Sequence, residues 1–439
     1  MLFLIQGFKI FLALFLRIYD TVIINFLKSI DMYFVASIIP LLILGPFLPD
    51  LIVSLSSIIF LVYVFKKKLF NYFNKKPLII FFIFCAYCVI LSIFVAENTF
   101  MSFESSLFYF RIGVFSCVIW YLIEKEKKFL QIFYYTLIIC FSILLVDGYI
   151  QFFFGHNTIG LPIQEVRVSS FFGDELIMGS YLARLYPIIF ALFLIKKKQK
   201  YENYFMSFFF ILIGSLVYIS GERASFFLFL LSLLFMFILI KTYNTKFKLF
   251  LFLGIFILLI IINFNKNDLF TRMLKNPLET TGIINGNQKK IFSEAHDSLI
   301  RTAFNMFLDK PLTGHGPKMF RVLCKNKKYA EGKTPCLTHP HNSYIQLLAE
   351  TGVIGFLFLF SLLCYVLQIS IKQLRSIILK KQEYISDYQV CLLAGILIIV
   401  WPITSTGNFF NNWLSICYSL PIGFYLHSLY GGNRKNLSF

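Results

Sequence analysis

The residues best able to do chemistry fall in a few short runs: Arg167-Val168-Ser169-Ser170, Ser220-Gly221-Glu222-Arg223, and His339-Pro340-His341-Asn342 with Arg301 upstream of it. A neutral imidazole can accept a proton from a hydroxyl as the oxygen forms a new bond, so His341 is the candidate general base. It lies near the start of an expected helix, where the positive end of the helix dipole disfavours imidazolium and helps keep the ring neutral. A guanidinium stays protonated and presents a planar fork to phosphate oxygens, which makes Arg223 and Arg301 candidates for stabilising a leaving group that gathers negative charge. Arg167 is a further candidate, for a second phosphate or a sugar. Asn342, His339 and Glu222 stand beside these groups, and Glu222 either orients Arg223 or acts as a base itself. An arginine next to an apolar span also serves as a lipid-headgroup contact, so residue type alone leaves Arg223 open. His339 and His341 alternate as in some metal sites, but no third histidine and no paired carboxylates accompany them in the sequence nearby, and no metal site is expected. His296 and His315 are read as surface or structural residues, with His315 the better placed to line a site because Gly314 and Gly316 permit close approach.

These groups must be held at a lipid boundary, and the rest of the chain is built for that. The 439 residues are 58% hydrophobic and 14% charged, with a mean hydropathy of +0.75, which leaves a water-soluble fold too little polar surface. Apolar runs of about 20 residues, the length that crosses roughly 30 Å of hydrocarbon, recur along the chain. They fall at 33–48, 50–65, 77–95, 105–123, 129–153, 176–195, 204–220, 224–240, 247–263, 352–371, 388–404 and 413–430, about twelve in all. Basic clusters follow the even-numbered spans: Lys66 to Lys68 with Lys75 and Lys76, then Lys125, Lys127 and Lys128, then Lys196, Lys197, Lys198 and Lys200. Lys241, Lys246 and Lys248 follow the eighth, and Lys372, Arg375, Lys380 and Lys381 the tenth. The positive-inside rule then puts both termini in the cytoplasm and the candidate residues on the outer face. The formal charge of +19 reports this topology and not a nucleic-acid partner.

Residues 1–30 read as an interfacial or re-entrant helix, since the run Leu2 to Leu16 leads into Arg17 and Asp20 without a small-residue cleavage site. Residues 31–263 then carry spans one to nine, 264–351 an outer loop, and 352–439 the last three spans and a short tail. Within the spans Arg111, Asp147 and Arg184 are costly to bury; Asp147 and Arg184 either neutralise each other or face a substrate. Seven of nine cysteines sit in apolar runs as small hydrophobes, whereas Cys324 and Cys336 share the polar loop, either as a disulfide or as two thiols. In that loop Asp297 or Ser293 caps an expected helix through Leu299, Ala303, Phe304, Phe307 and Leu308, with Arg301 and Asn305 on its other face, before Pro311, Gly314 and Gly316 end it.

His341-Asn342, nine residues, Gly352, two more and Gly355 resemble the signature of the O-antigen ligase family, and Arg301 through Pro311-Leu312-Thr313-Gly314-His315-Gly316 resembles that family's Arg-helix-Pro-Leu-x-Gly-x-Gly segment. Ser220 to Ser225 looks like the short outer turn where such proteins place another arginine, and Arg167 to Phe172 is similar as well. The resemblance covers roughly residues 165–360. It implies an all-α, GT-C-like polytopic membrane bundle with one large helical periplasmic loop, in the bacterial inner membrane. It also implies an inverting transfer, without metal or cofactor, of a glycan from undecaprenyl diphosphate to lipid A-core, with His341, Arg301 and Arg223 catalytic and Arg167, Asn342, His339, His315 and Glu222 binding substrate. Partners are the lipid-linked donor, the acceptor and membrane lipids. An O-antigen polymerase or a protein O-oligosaccharyltransferase would use the same donor. A transporter or flippase of lipid-linked sugars is the reading from another class, although its polar groups would be expected near the midplane in repeated halves.

Overall fold

The computed structural model describes residues 32–126, 128–196, 202–243, 245–265, 267–280 and 292–432. Long apolar runs with few turn residues leave the backbone only its own carbonyls to bond, and the chain becomes helix after helix. In order these are α1 (Met32–Leu44, with a turn at Ser37), α2 (Phe47–Lys67), α3 (Lys76–Phe94), α4 (Thr99–Lys125), α5 (Phe129–Phe154), α6 (Met178–Ile195) and α7 (Glu202–Ile219). There follow α8 (Arg223–Leu239), α9 (Thr245–Asn265), α10 (Glu294–Asp309), α11 (Ser343–Ile378), α12 (Asp387–Ile399) and α13 (Asn412–Tyr430). Among the described residues the extended pairings are isolated bridges, His156 with Pro162 and Gln164 with Arg167.

Each expected span segment falls largely on helix, although 388–404 is helical only as far as Ile399, and seven helices among the described residues are long and apolar enough to cross a bilayer by that measure alone. Met32–Leu44, Arg223–Leu239, Lys248–Phe264 and Asp387–Ile399 are shorter apolar helices. The chain is therefore a polytopic helical bundle. Residues 1–30 and the expected cytoplasmic Lys127, Lys197, Lys198 and Lys200 lie outside the described residues. A helix apolar on every side has no face for water, and α6, buried without a break from Met178 to Phe193, is the axis around which α5, α7, α8, α12 and α13 pack. Phe205, Phe208, Phe256 and Phe264 on α7 and α9 stay exposed, as side chains facing lipid tails would.

The connections separate into two ends. At one, the lysine-rich end, Asp387 accepts from the backbone of Lys241 (2.9 Å) and Thr242 (2.7 Å), and Lys196 pairs with Glu202 at 2.8 Å. At the other, the polar end, Tyr87 donates to the Thr351 carbonyl (2.9 Å) and the loop after α3 meets Met319. Of the two readings of Asp147 and Arg184, the mutual pairing is not made among the described residues. Asp147 instead accepts from Thr158 N (2.9 Å), Asn157 Nδ2 (3.2 Å) and the Thr158 and Ser170 hydroxyls, while Arg184 bonds Ser180 and lies 5.9 Å from the Tyr418 ring. Several short hydrogen bonds from its own loop satisfy a buried carboxylate more fully than one distant guanidinium. Arg111 pairs with Asp50 at 2.5 Å.

A small subdomain covers the polar end. Ser293 caps α10, and the apolar stripe of that helix joins Met319, Phe320, Leu323, Tyr329 and Ala349 in a second, separate core. Cys324 and Cys336 are disulfide-bonded with Cα atoms 4.9 Å apart, closing a chain separation of 12 residues. So small a core gains much from such a staple, up to about 3 kcal/mol. The Cys336→Ser variant should accordingly raise amide exchange over residues 294–338 while protection of α6 stays as it is, which hydrogen-exchange mass spectrometry would read directly.

Candidate active site

Two backbones cross at the base of the polar end. Val353 N donates to Pro311 O (2.9 Å), His315 N to Ala349 O (3.0 Å) and Gly316 N to Glu350 O (2.7 Å). Those carbonyls are free because α11 kinks at Gly352, whose φ is +65°, and a Cβ there would sit 2.1 Å from the Leu312 oxygen. At Gly314 (φ +62°) it would sit 2.5 Å from the Glu350 backbone, so both positions require glycine. Beneath them the buried Glu350 accepts from Phe320 N (3.1 Å) and Gln346 Nε2 (3.0 Å), and Gln346 continues to Asn408 Oδ1 (3.1 Å) and Phe409 N (2.9 Å). The loop 314–320, α11 and the α12–α13 connection thereby become one hydrogen-bonded unit.

Asn342 caps α11, accepting from Tyr344 N (3.0 Å) and Ile345 N (3.1 Å), and donates to Pro402 O at 2.8 Å. Both ends of its amide are engaged, so the structure gives Asn342 the role of positioning its neighbour. That neighbour, His341, holds φ at +56°, a left-handed conformation costing on the order of 1 kcal/mol or more, and its carbonyl is pinned by Thr406 N at 2.9 Å. The ring is thereby set 4.1 Å from that of His339 and 5.1 Å from that of His296. Burial lowers the pKa of all three, His339 to about 4; neighbouring cations and imidazoles add to this, Arg223 acting on His296 and Arg321 on His339. A neutral ring at His341 is what a proton acceptor needs.

Around the Ser220–Arg223 turn stand three guanidiniums. Arg223 opens α8, exposed and with no hydrogen bond or ion pair among the described residues. Arg167 donates to Leu176 O (2.8 Å) and Ser220 O (3.5 Å). Arg272, in the π-turn Thr271–Lys275 after α9, donates to Gly221 O (3.1 Å) and pairs with Glu165 at 3.1 Å. Glu222 is turned inward: it accepts from Gly179 N (2.6 Å), Ser180 N (3.1 Å) and Ser225 Oγ (2.8 Å), and burial raises its pKa to about 6. It ties the start of α6 to that of α8 and makes no ion pair with Arg223 among the described residues.

Arg301 is placed differently. It lies about 140° round α10 from His296, exposed, paired with Asp297 (2.9 Å) and Glu331 (3.2 Å), and those two hydrogen-bonded carboxylates raise its pKa. Asn305 shares the same Glu331 at 3.0 Å, as their common face implies. Among the described residues no hydrogen bond or ion pair joins Arg301 to the histidines. His315 and His296 exchange the places expected of them. His315 is buried in the loop core, its Nε2 3.0 Å from Met306 O and its ring 5.4 Å from that of Tyr329, whereas His296 faces His341. The glycines beside His315 serve the backbone crossing, and helix spacing alone did not reveal that the first turn of α10 reaches a loop 45 residues further on. Arg272, set in an irregular turn, carried no spacing signal at all.

A polytopic helical membrane protein with a cationic, histidine-lined site under a loop subdomain is what these elements define. Residues 208–360 match the family model described as O-antigen ligase, which supports membership of the O-antigen ligase and polymerase family. The matched segment runs from α7 through the whole loop into α11 and includes Arg223, Arg301, Gly314, His341 and Gly352. No curated protein matches the chain.

The depressed histidine pKa values carry a consequence for stability. Each folded ring binds its proton less readily than the ordinary value of 6.5, so the unfolded chain takes up more protons on acidification. Stability should be full at neutral pH and fall as pH drops from about 6.5 towards 4. Melting curves of the purified protein across that range should show the decline, and a His339→Gln variant should show a shallower one.

Proposed function

We propose that this protein is a membrane glycosyltransferase moving a glycan from undecaprenyl diphosphate to lipid A-core at the periplasmic face of the inner membrane, that is, an O-antigen ligase. The family match supports ligase- or polymerase-type chemistry. The observation that carries the finer reading is the row Arg223, His296 and His341, where a cation with no ion pair among the described residues acts on His296, whose ring lies 5.1 Å from that of the buried His341. The disulfide in the covering loop agrees with an oxidising compartment on that side.

In this reading the donor diphosphate lies against Arg223, with Arg167 and Arg272 completing the positive wall. The acceptor hydroxyl attacks the anomeric carbon from the face opposite the diphosphate. As the new C–O bond forms and the old one breaks, the hydroxyl proton passes to His341 and the bonding electrons leave on the diphosphate, whose charge the guanidiniums take up. One displacement inverts the anomeric centre. Arg301 acts from the mouth: its carboxylate partners are exposed, and exposed ion pairs are worth only about 0–1 kcal/mol, so phosphate oxygens can exchange for them. Metal independence is part of the proposal and rests on the donor set, since among the described residues no group of three or more His, Cys, Asp or Glu side chains is placed to hold an ion. A carrier of lipid-linked sugars would need its polar groups near mid-bilayer, whereas these collect at one end.

Replacing His341 with Ala should lower transfer by about two to four orders of magnitude without loss of membrane insertion. On lipopolysaccharide gels a ligase variant loses the capped ladder while lipid-linked polymer accumulates, and a polymerase variant leaves core carrying one repeat; an unchanged profile contradicts both. Arg223→Gln should fall by about 100-fold or more, and Arg301→Gln by about tenfold, chiefly through the donor KM.

A further inference from the structure

Arg223 acts on His296, whose ring lies 5.1 Å from that of His341. His339 also stands beside His341, 4.1 Å ring to ring, with its Nδ1 fixed 2.9 Å from Thr338 Oγ1. Its Nε2 is buried and makes no well-aligned hydrogen bond among the described residues, the Thr406 backbone being the polar group that acts on the ring, and Arg321 Nε is likewise buried without a partner. Arg321 lies close enough to His339 and to Lys318 to disfavour the charged form of each. Lys318 and Arg321 are half-buried, and neither makes an ion pair among the described residues; Glu104 and Glu350 are the carboxylates in electrostatic range. Glu350 is already bonded to Phe320 N and Gln346. Lys318 also carries a left-handed backbone, φ +61°, on the turn that leads into Arg321. Two unpaired cations and an imidazole nitrogen with no well-aligned partner, part-buried and held by a strained turn, form a site whose missing partner is negative.

We propose that Lys318, Arg321 and His339 form a second anion pocket, which takes a phosphate or carboxylate borne by the acceptor glycan. The inference rests on the proposed transfer and extends it. In-line displacement requires the acceptor to approach from the side away from the diphosphate, and this pocket adjoins His339 whereas Arg223 adjoins His296, so the two anion sites are distinct. An anionic group seated there fixes which hydroxyl of the acceptor reaches the His341 ring, so the pocket selects acceptors by charge and position.

The test uses the full chain in nanodiscs of neutral phosphatidylcholine, titrated with inorganic phosphate and followed by 31P NMR. Two classes of site are expected. Arg321→Gln and Lys318→Gln should each weaken one class by about tenfold or more, and Arg223→Gln should weaken the other. An Arg321→Gln protein with wild-type melting temperature and wild-type phosphate binding overturns the pocket. A second arm measures transfer to an acceptor glycolipid before and after phosphatase treatment. Removal of its phosphate should raise the acceptor KM for the wild type and leave that of Arg321→Gln unchanged, with the donor KM unaffected in both. If anionic phosphatidylglycerol nanodiscs abolish phosphate binding while phosphatase treatment changes nothing, the pocket reads a lipid headgroup and the acceptor assignment fails. Absence of any transfer by the wild type contradicts the proposed function, and the phosphate titration still decides the pocket.

Discussion

The polar end depends on one contact, the main-chain crossing of the Pro311–Gly316 segment over α11 at Gly352. A helix that continued straight through residue 352 would keep the Ala349 and Glu350 carbonyls for itself and leave the loop nothing to bond to. The kink releases them to His315 N and Gly316 N, and glycine at 314 and 352 lets the two chains approach without a Cβ between them. The buried Glu350–Gln346–Asn408 network then locks the crossing from below. Every imidazole of the site is placed through this arrangement: His341 and His339 by the capped start of α11, His296 by the loop core that the crossing supports.

The same end separates buried carboxylates from more exposed ones, and it is the more exposed ones, Glu165, Asp297 and Glu331, that pair with Arg272 and Arg301. Asp147, Glu222 and Glu350 are buried and bonded to backbone N–H groups or hydroxyls, where they fold loops. Arg223, Lys318 and Arg321 make no ion pairs among the described residues. Carboxylates used as caps cannot neutralise guanidiniums, so the folding of the loops itself leaves the surface cationic. The proposed reaction, which expels a diphosphate, would use that surplus. At the lysine-rich end Asp387 likewise accepts from the backbone of the α8–α9 connection, while Lys196 pairs with Glu202.

Much of this was legible in the sequence because it depends on local pattern. Span length, the alternation of lysine clusters and the Ser293 cap all follow from residues within a turn or two of each other, and so did the shared face of Arg301 and Asn305. The glycines of the two motifs were legible as motif positions, but their reason was not, since it is a contact between segments some 40 residues apart. What the sequence left hidden is long-range in the same way. Asp147 faces its own loop and not Arg184, because the loop returns over α5 after a tight turn at Gly155. His296 faces His341 and His315 does not, because the loop core rotates α10 so that its apolar stripe points inward and its first turn points at the start of α11. Arg272 and Arg321 belong to no periodic element long enough to announce a face.

The electrostatics of the row Arg223, His296, His341, His339 and Arg321 then acquire a direction. Burial disfavours the charged form of each imidazole; Arg223 adds to this at His296 and Arg321 at His339, while His341 feels His296. In the proposed reaction bound anions would reverse this. A diphosphate at the Arg223 end would screen the repulsion felt by His296, and an anion at the Arg321 end would do the same for His339, so the affinity of His341 for a proton would rise as the site fills. The base would thus be weakest in the empty site and strongest when both substrates are present, and the leaving diphosphate, gaining charge as its bond breaks, would draw the proton onto the ring at the moment of transfer. Coupling of this kind needs no moving lid. It requires only that cations act on the imidazoles beside His341 and lack carboxylate partners of their own.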